Sequence, residues 1–478
     1  MNGDLPEGWA NATLGDVCSK PQYGWTSRAA KQGKVKYLRT TDISDGRIDW
    51  DSVPFCEDIP DDIEKYRVHP DDILVSRAGS VGVSLRVDDV PCDAVFASYL
   101  IRFKPLDGVP PKFVEFFLKS PTYWRSISEF SAGIAVPNVN ASKLASLQIP
   151  LAPSTEQRRI VTALEKLLAK VEASREHLEK IPVILKRFRQ SVLAAACQGR
   201  LTEEWRANHP VVESAARLLD RIRVERTAIV SAADDLPSNW AVCVLRTIFS
   251  VRTGATPNRQ ESTYYANGSI PWVKTSEVQN GEITEAGEFI TPAAIQQTNA
   301  KVFPKGTIII AMYGEGRTRG QVGRLQIEAA TNQACAALVN PTLPPAVNQF
   351  CFLFCLSQYH QLRRESFGGN QPNLSLGIVK NWTIILPPLA EQAEIVRRVD
   401  ELFALADGIE NEYRKAKERV DKLAESILAK AFRGEIVPTE AELAEAEGRG
   451  FESAGELIRR MKKSGPLTSD VKARKARV

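Results

Sequence analysis

Pro153-Ser154-Thr155-Glu156-Gln157 and Pro388-Leu389-Ala390-Glu391-Gln392 decide how this chain is read. After each, apolar residues return every seven positions: Leu164, Val171, Leu178, Leu185 and Val192 in the first stretch, Val399, Ala406, Tyr413, Val420 and Ile427 in the second. A proline followed by small polar or acidic residues is how a helix begins, and the first stretch is the better capped of the two. The sevenfold return marks a helix that packs along its length. A neighbouring row is mixed: Val161, Leu168, Arg175, Pro182 and Arg189 against Val396, Phe403, Glu410, Lys417 and Ala424. One clean row and one half-polar row predict two long helices paired as an antiparallel coiled coil, not a tight parallel zipper. Pro182 is expected to kink the first helix, and Gly199 and Gly434 to end the two. Each helix spans roughly 65 Å at 1.5 Å per residue, enough to hold two compact domains apart. Packing of each helix on its own domain is the alternative.

Outward from these stretches, the chain is one plan written twice. Leu5-Pro6-Glu7-Gly8-Trp9 is answered by Leu236-Pro237-Ser238-Asn239-Trp240 at an offset of 231. The offset then settles at 235: Tyr37-Leu38-Arg39-Thr40 with Trp272-Val273-Lys274-Thr275, Ile73-Leu74-Val75 with Ile308-Ile309-Ile310, Glu156-Gln157 with Glu391-Gln392, and Gly199 with Gly434. It becomes 239 at Glu213-Ser214-Ala215 and Glu452-Ser453-Ala454. In front of each helix lie short apolar runs between Gly, Pro, Asp and Asn turns, at 35–38, 73–76, 96–103, 272–273, 307–311 and 335–339, with helices expected at 113–119 and 349–363. The class is α+β: two small-sheet domains in pseudo-twofold repeat, separated by the helix pair. The expected division is 1–152 and 236–387 for the domains, 153–199 and 388–434 for the helices, 200–235 and 435–478 for the connecting and terminal segments.

Composition sets the class without naming a task. The 478 residues are 43% hydrophobic and 25% charged, with 62 Lys and Arg against 58 Asp and Glu, a net +4 that does not by itself demand a polyanion. No apolar run is long enough to span a membrane, and the N-terminus has no export signal, so a cytoplasmic protein with no membrane contact is expected. Eight cysteines include no C-x-x-C pair, and Cys351 and Cys355 read as buried thiols. Four scattered histidines offer no metal-ligand spacing.

Catalytic signatures are missing too. An adenine methyltransferase needs an acid or Asn ahead of Pro-Pro-aromatic to hold the flipped base, and Pro110-Pro111, Pro344-Pro345 and Pro387-Pro388 lack that context. Tyr313-Gly314-Glu315-Gly316-Arg317-Thr318-Arg319-Gly320 lacks the Lys-Ser/Thr of a phosphate-binding loop. No catalytic residue is assigned.

Leu-Pro-x-x-Trp, Pro137-Asn138, Leu-x-Pro-x-x-Glu-Gln and the helix end Lys186-Arg187-Phe188-Arg189-Gln190-Ser191-Val192-Leu193, with its counterpart from Ser426 to Glu435, together resemble the specificity subunits of type I restriction–modification enzymes. Gly199-Arg200-Leu201-Thr202-Glu203-Glu204-Trp205-Arg206 resembles the enterobacterial branch. The resemblance implies a non-catalytic subunit whose two domains each read half of a bipartite double-stranded DNA site. It implies docking of two methyltransferase subunits and, through them, restriction subunits. S-adenosylmethionine, ATP and Mg are then expected on those partners and no cofactor on this chain. Phe188, Trp205 and Phe432 are the candidate partner contacts. Because Glu435-Ile436-Val437-Pro438-Thr439-Glu440 lacks the Thr-Glu-Glu-Trp-Arg that follows the first helix, a contact through Trp205 would be asymmetric. Left open are an enzyme with unfamiliar motifs and a protein-only coiled-coil adaptor.

Loops suited to DNA recur at matching places with different side chains, as two readers of different sequence require. They are Gln22, Tyr23, Trp25, Thr26 and Arg28 against Thr253, Thr256, Asn258 and Arg259; Arg39 against Lys274; and Arg77 and Ser80 against Tyr313, Arg317 and Arg319. Arg favours guanine edges and phosphates, and hydroxyls and amides suit groove contacts. A solvated turn is the plainer reading of any one of them. Trp9 and Trp240 read as core anchors.

Overall fold

In the computed structural model the described residues are 5–44, 46–131, 138–227, 230–231, 236–314, 318–359 and 374–464. They form two compact units, one of residues 1–179 with 414–478, the other of residues 180–413. Each unit therefore holds one mixed domain, the first half of the long helix that follows it, and the last half of the other long helix.

In the first unit Ala10–Thr13 pairs antiparallel with Gln148–Leu151 just before the helix. Two four-stranded sheets lie between them in sequence. One has the order Gln22–Tyr23, Leu100–Phe103, Ile73–Ser76, Ser84–Arg86. The other has Ala29–Ala30, Phe55–Cys56, Lys36–Leu38, Ala94–Phe96. The expected run 96–103 is thus two strands in two sheets, broken by a turn at 97–99. Tyr37 pairs with Val95 in parallel, and Ile73 with Phe103 antiparallel.

The second unit repeats these pairings at the sequence offset. Ala241 faces Leu386 as Ala10 faces Leu151, Trp272 pairs parallel with Ala330 as Tyr37 does with Val95, and Ile308 faces Leu338 as Ile73 faces Phe103. The helix expected at 349–363 runs over Pro345–Ser357, buried on almost every side, and residues 360–363 lie outside the described residues.

The long helices are Ser154–Cys197 and Leu389–Ala431. The first is assigned as helix without interruption through Pro182, while Gly199 and Gly434 take φ of 74° and 76°, left-handed stops that glycine adopts without strain. Within the first unit, Arg175 pairs with Asp421 at 2.9 Å and Arg159 with Glu440 at 2.6 Å; within the second, Arg189 pairs with Asp407 at 2.6 Å and Glu410 at 2.9 Å. In the second unit Arg398 also donates to Leu201 O at 2.9 Å. As one number rises the other falls, so the segments are antiparallel in each unit. Leu164, Val171, Leu185, Val192, Val399 and Ala406 are buried, whereas Arg175, Arg189 and Glu410 of the half-polar row are only half-buried and form those ion pairs.

Candidate nucleic-acid interface

The base of each domain is fixed by the Glu-Gln pair that opens its helix. Glu156 is fully buried; it accepts the Trp9 indole N–H at 2.9 Å and the Glu440 backbone N–H at 2.8 Å. Burial pushes its carboxyl above the ordinary range, against the pull of those donors. Glu391, equally buried, accepts the Trp240 indole N–H at 2.8 Å, the Thr202 hydroxyl at 2.8 Å and Arg206 Nε–H at 3.1 Å. Gln157 and Gln392 each donate back to the carbonyl five residues earlier, Ala152 and Pro387. In the sequence these acids read only as helix-start signals. Their pairing with a tryptophan 147 or 151 residues away carried no local signal beyond the recurrence itself.

The segments after each helix complete these sites. Ala454 N–H donates to Gly8 O at 2.8 Å, as Ala215 N–H does to Asn239 O at 3.0 Å. The terminal segment therefore serves the first domain and the connecting segment the second.

Elsewhere in each domain, three loops share one backbone frame. Arg77 N–H donates to Tyr99 O and Met312 N–H to Ala334 O, at 2.9 and 2.8 Å. Val139 N–H donates to Arg77 O and Leu374 N–H to Met312 O, at 3.0 and 3.2 Å. Trp25 N–H donates to Phe96 O and Ala255 N–H to Thr331 O, at 2.8 and 2.9 Å. Gly24 and Gly254 permit this last approach, since a Cβ there would lie 2.3 Å from Phe96 O or 1.9 Å from Thr331 O. By strand register Tyr23 and Thr253 hold equivalent positions, opposite Ile101 and Ala336.

The candidate residues divide on this frame. Thr26, Arg28, Ser80, Asn258 and Tyr313 are exposed on their loops. Tyr23 is exposed, its hydroxyl accepting Ala141 N–H at 2.9 Å, and the Arg77 guanidinium lies 5.0 Å over its ring. Other side chains are engaged inside the domain. Gln22 accepts from Arg102, Trp25 donates to Asp58 O at 2.6 Å, and Thr256 donates to Gln333. Arg39 is forked onto Asp42 at 2.8 and 3.0 Å, a bond that raises its own pKa. Lys274 and Arg259 grip Glu288 at 2.5 and 2.6 Å and hold that carboxyl below its ordinary range, Lys274 foremost, while Arg259 also stacks on Tyr265 and Trp272. Thr253 is half-buried. Arg319, expected to project, is only 8% exposed, and Arg317 lies outside the described residues.

Of the partner candidates, Phe432 is core: 4% exposed, its ring 5.2 Å from Phe113 and 5.5 Å from Phe117, because antiparallel pairing returns the second helix's tail to the first domain. Phe188 is half-buried against the second unit's core, and Trp205 stays half-exposed, stacked at 4.3 Å on His209.

A fold built twice, with one frame and two sets of loop side chains, defines a duplicated recognition protein. Residues 6–183 and 237–417 match the family described as the type I restriction modification DNA specificity domain, and the chain belongs to that family. It is similar to the EcoKI specificity subunit of Escherichia coli K12, 29% identical with 91% of this chain and 90% of that one covered. It is also similar to the StySPI specificity subunit of Salmonella potsdam, 28% identical over 91% and 90%. These relatives match the enterobacterial likeness seen in the sequence. Among solved structures, the HsdS subunit from Thermoanaerobacter tengcongensis shares the fold, with a TM-score of 0.54 at 18% identity over 91% of this chain and 99% of that one. So does a chain from a study of type I R-M complex assembly, with a TM-score of 0.60 at 17% identity over 91% and 100%. The fold class expected from the sequence and the assignment as a specificity subunit both stand. Among the described helices none is long and apolar enough to cross a membrane.

Proposed function

We propose that each mixed domain reads one half of a bipartite duplex site and that the long helices offer a scaffold to two methyltransferase subunits, through which restriction subunits join. On this reading S-adenosylmethionine, ATP and Mg belong to the partners, and the chain supplies sequence choice in the cytoplasm without a catalytic site of its own. The observation that carries it is the repeated frame: equal backbone hydrogen bonds hold Tyr23, Arg77 and Tyr99 in one domain and Thr253, Met312 and Ala334 in the other. Side chains that only maintained the fold would be free to be alike; two readers of different sequence must differ where they meet bases.

The test is replacement of residues 10–145 by the matching domain of a relative, with methylated sites mapped in cells carrying the chain and its methyltransferase subunits. One half of the site should change. Change in both halves, or in neither, would break the assignment of one domain to one half.

A further inference from the structure

Most partly buried arginines of the first domain are answered by acids. Arg39 meets Asp42, Arg67 meets Glu64 and Asp93, Arg86 meets Asp71, Asp88 and Glu115, and Arg102 meets Asp72. Arg77 is the exception: half-buried, with no carboxylate reaching it among the described residues. Its Nε is enclosed and finds no acceptor there. A guanidinium left with unmet donors costs free energy unless a partner arrives, and such a group in a native fold calls for an explanation. Its backbone is tied on both sides, to Tyr99 O and by Val139 N–H, and its guanidinium lies over the Tyr23 ring, so its position is set before any partner binds. Around it the surface is unusually aromatic. Tyr99, at the turn between two buried strands, is 59% exposed, and Trp124 is exposed beside the same loop, against Gly82.

Among the described residues the second domain keeps the frame without this cluster. Met312 is buried where Arg77 stands, Ala334 replaces Tyr99, and Thr253 replaces Tyr23.

We propose that Arg77, held over Tyr23 and flanked by Tyr99, reads a guanine in the half-site of the first domain, and that the second domain has no counterpart reader at this frame position. This rests on the reading of each domain as a half-site reader and adds to it the base and the residue. An arginine whose plane is fixed by an aromatic ring presents two N–H groups in one direction, which matches guanine O6 and N7 in the major groove. The exposed aromatic rings would exclude water beside that contact.

The experiment uses the full chain assembled with its methyltransferase subunits, binding duplexes in which every base pair of both half-sites is varied in turn, at several salt concentrations. Arg77→Met installs the side chain that the same frame carries in the second domain, so the loop should keep its shape. Preference for guanine at one position of one half-site should fall by about 10- to 100-fold, with the other half-site unchanged. Arg77→Lys keeps the charge without the fork and should lose the same preference while retaining the salt dependence; it also decides the matter if the methionine variant fails to assemble. Uniform weakening on all sequences with a salt slope lowered by about one would assign Arg77 to a phosphate and overturn the proposal. Unchanged discrimination in either variant would overturn it as well. Replacement of residues 10–145 separates the two levels: if that swap changes one half-site while the Arg77 variants change nothing, half-site reading survives and the guanine assignment does not.

Discussion

Removing the carboxylate of Glu391 should release the connecting segment from the second domain. In Glu391→Ala the Trp240 indole N–H and the Thr202 hydroxyl, both buried, lose their acceptor, and the Arg206 guanidinium loses its ion pair. A buried donor left unmet costs about 1–3 kcal/mol. Arg206 is partly open to solvent and recovers much of its hydration, so its loss adds less than a fully buried charge would. About 4 kcal/mol follows for the local structure, which is roughly three powers of ten in an opening equilibrium. A chain of two units need not unfold in one step, so the measurement is backbone hydrogen exchange in the full protein, followed across residues 202–222. Exchange there should accelerate by about a thousandfold, while the equivalent terminal segment on Glu156 keeps its protection. Glu391→Gln, which retains one acceptor oxygen but turns an amino group towards a donor, should lie between the two. Exchange within about threefold of the parent at 202–222 would mean that the donors are satisfied without the acid, and the reasoning would fail.

Three further outcomes follow from the same structure. Asp16 is held down to about 2, foremost by its hydrogen bond from Lys462. A depressed carboxylate contributes stability that is present above its unfolded pKa and lost as pH falls through the folded one; docking of helix Ala454–Ser464 should therefore loosen between about pH 4 and pH 2 by limited proteolysis, and Asp16→Asn should flatten that dependence. Leu185→Ala, at a buried position of the seven-residue row, should destabilise the second unit by about 2–4 kcal/mol in denaturant unfolding, whereas Arg189→Ala, at the exposed rim pair, should cost about 1 kcal/mol or less; equal costs would mean the helices are held by charge. Gly24→Ala forces a methyl group onto Phe96 O and should alter binding to one half-site only, as read by mapping methylated sites; a normal methylation pattern would show that the frame yields without consequence.

The duplication and the long helices were legible in the chain because both are repeated patterns: an offset of 235 kept over the body of each copy and a sevenfold apolar return. Those patterns follow from backbone periodicity, which any stretch of sequence displays locally. The strands at 73–76, 308–311 and 335–339 were legible for the same reason. Which side chains face outward was not. Gln22, Arg39 and Lys274 looked like loop residues free to meet DNA, yet Arg102, Asp42 and Glu288 claim them; the Gln22 partner lies 80 residues away. Phe432, an aromatic at a helix end, was a partner candidate until the antiparallel helix brought it under Phe113 and Phe117.

The sequence by itself determined that there are two copies, that each is an α+β domain followed by a long helix, and that the copies differ in their loops. Tertiary structure decided that the tail of each helix, and the segment after it, belongs to the domain of the other copy, locked there by Glu156 or Glu391. It also decided that, of the partly buried arginines in the first domain, Arg77 stands over Tyr23 without an acid among the described residues. The physical reason is the same in both cases. Periodicity is a property of neighbours in the chain, whereas the partner of a buried polar group is chosen by whatever the fold brings within 3 Å of it, and that distance is fixed only when the strands have paired and the helices have packed.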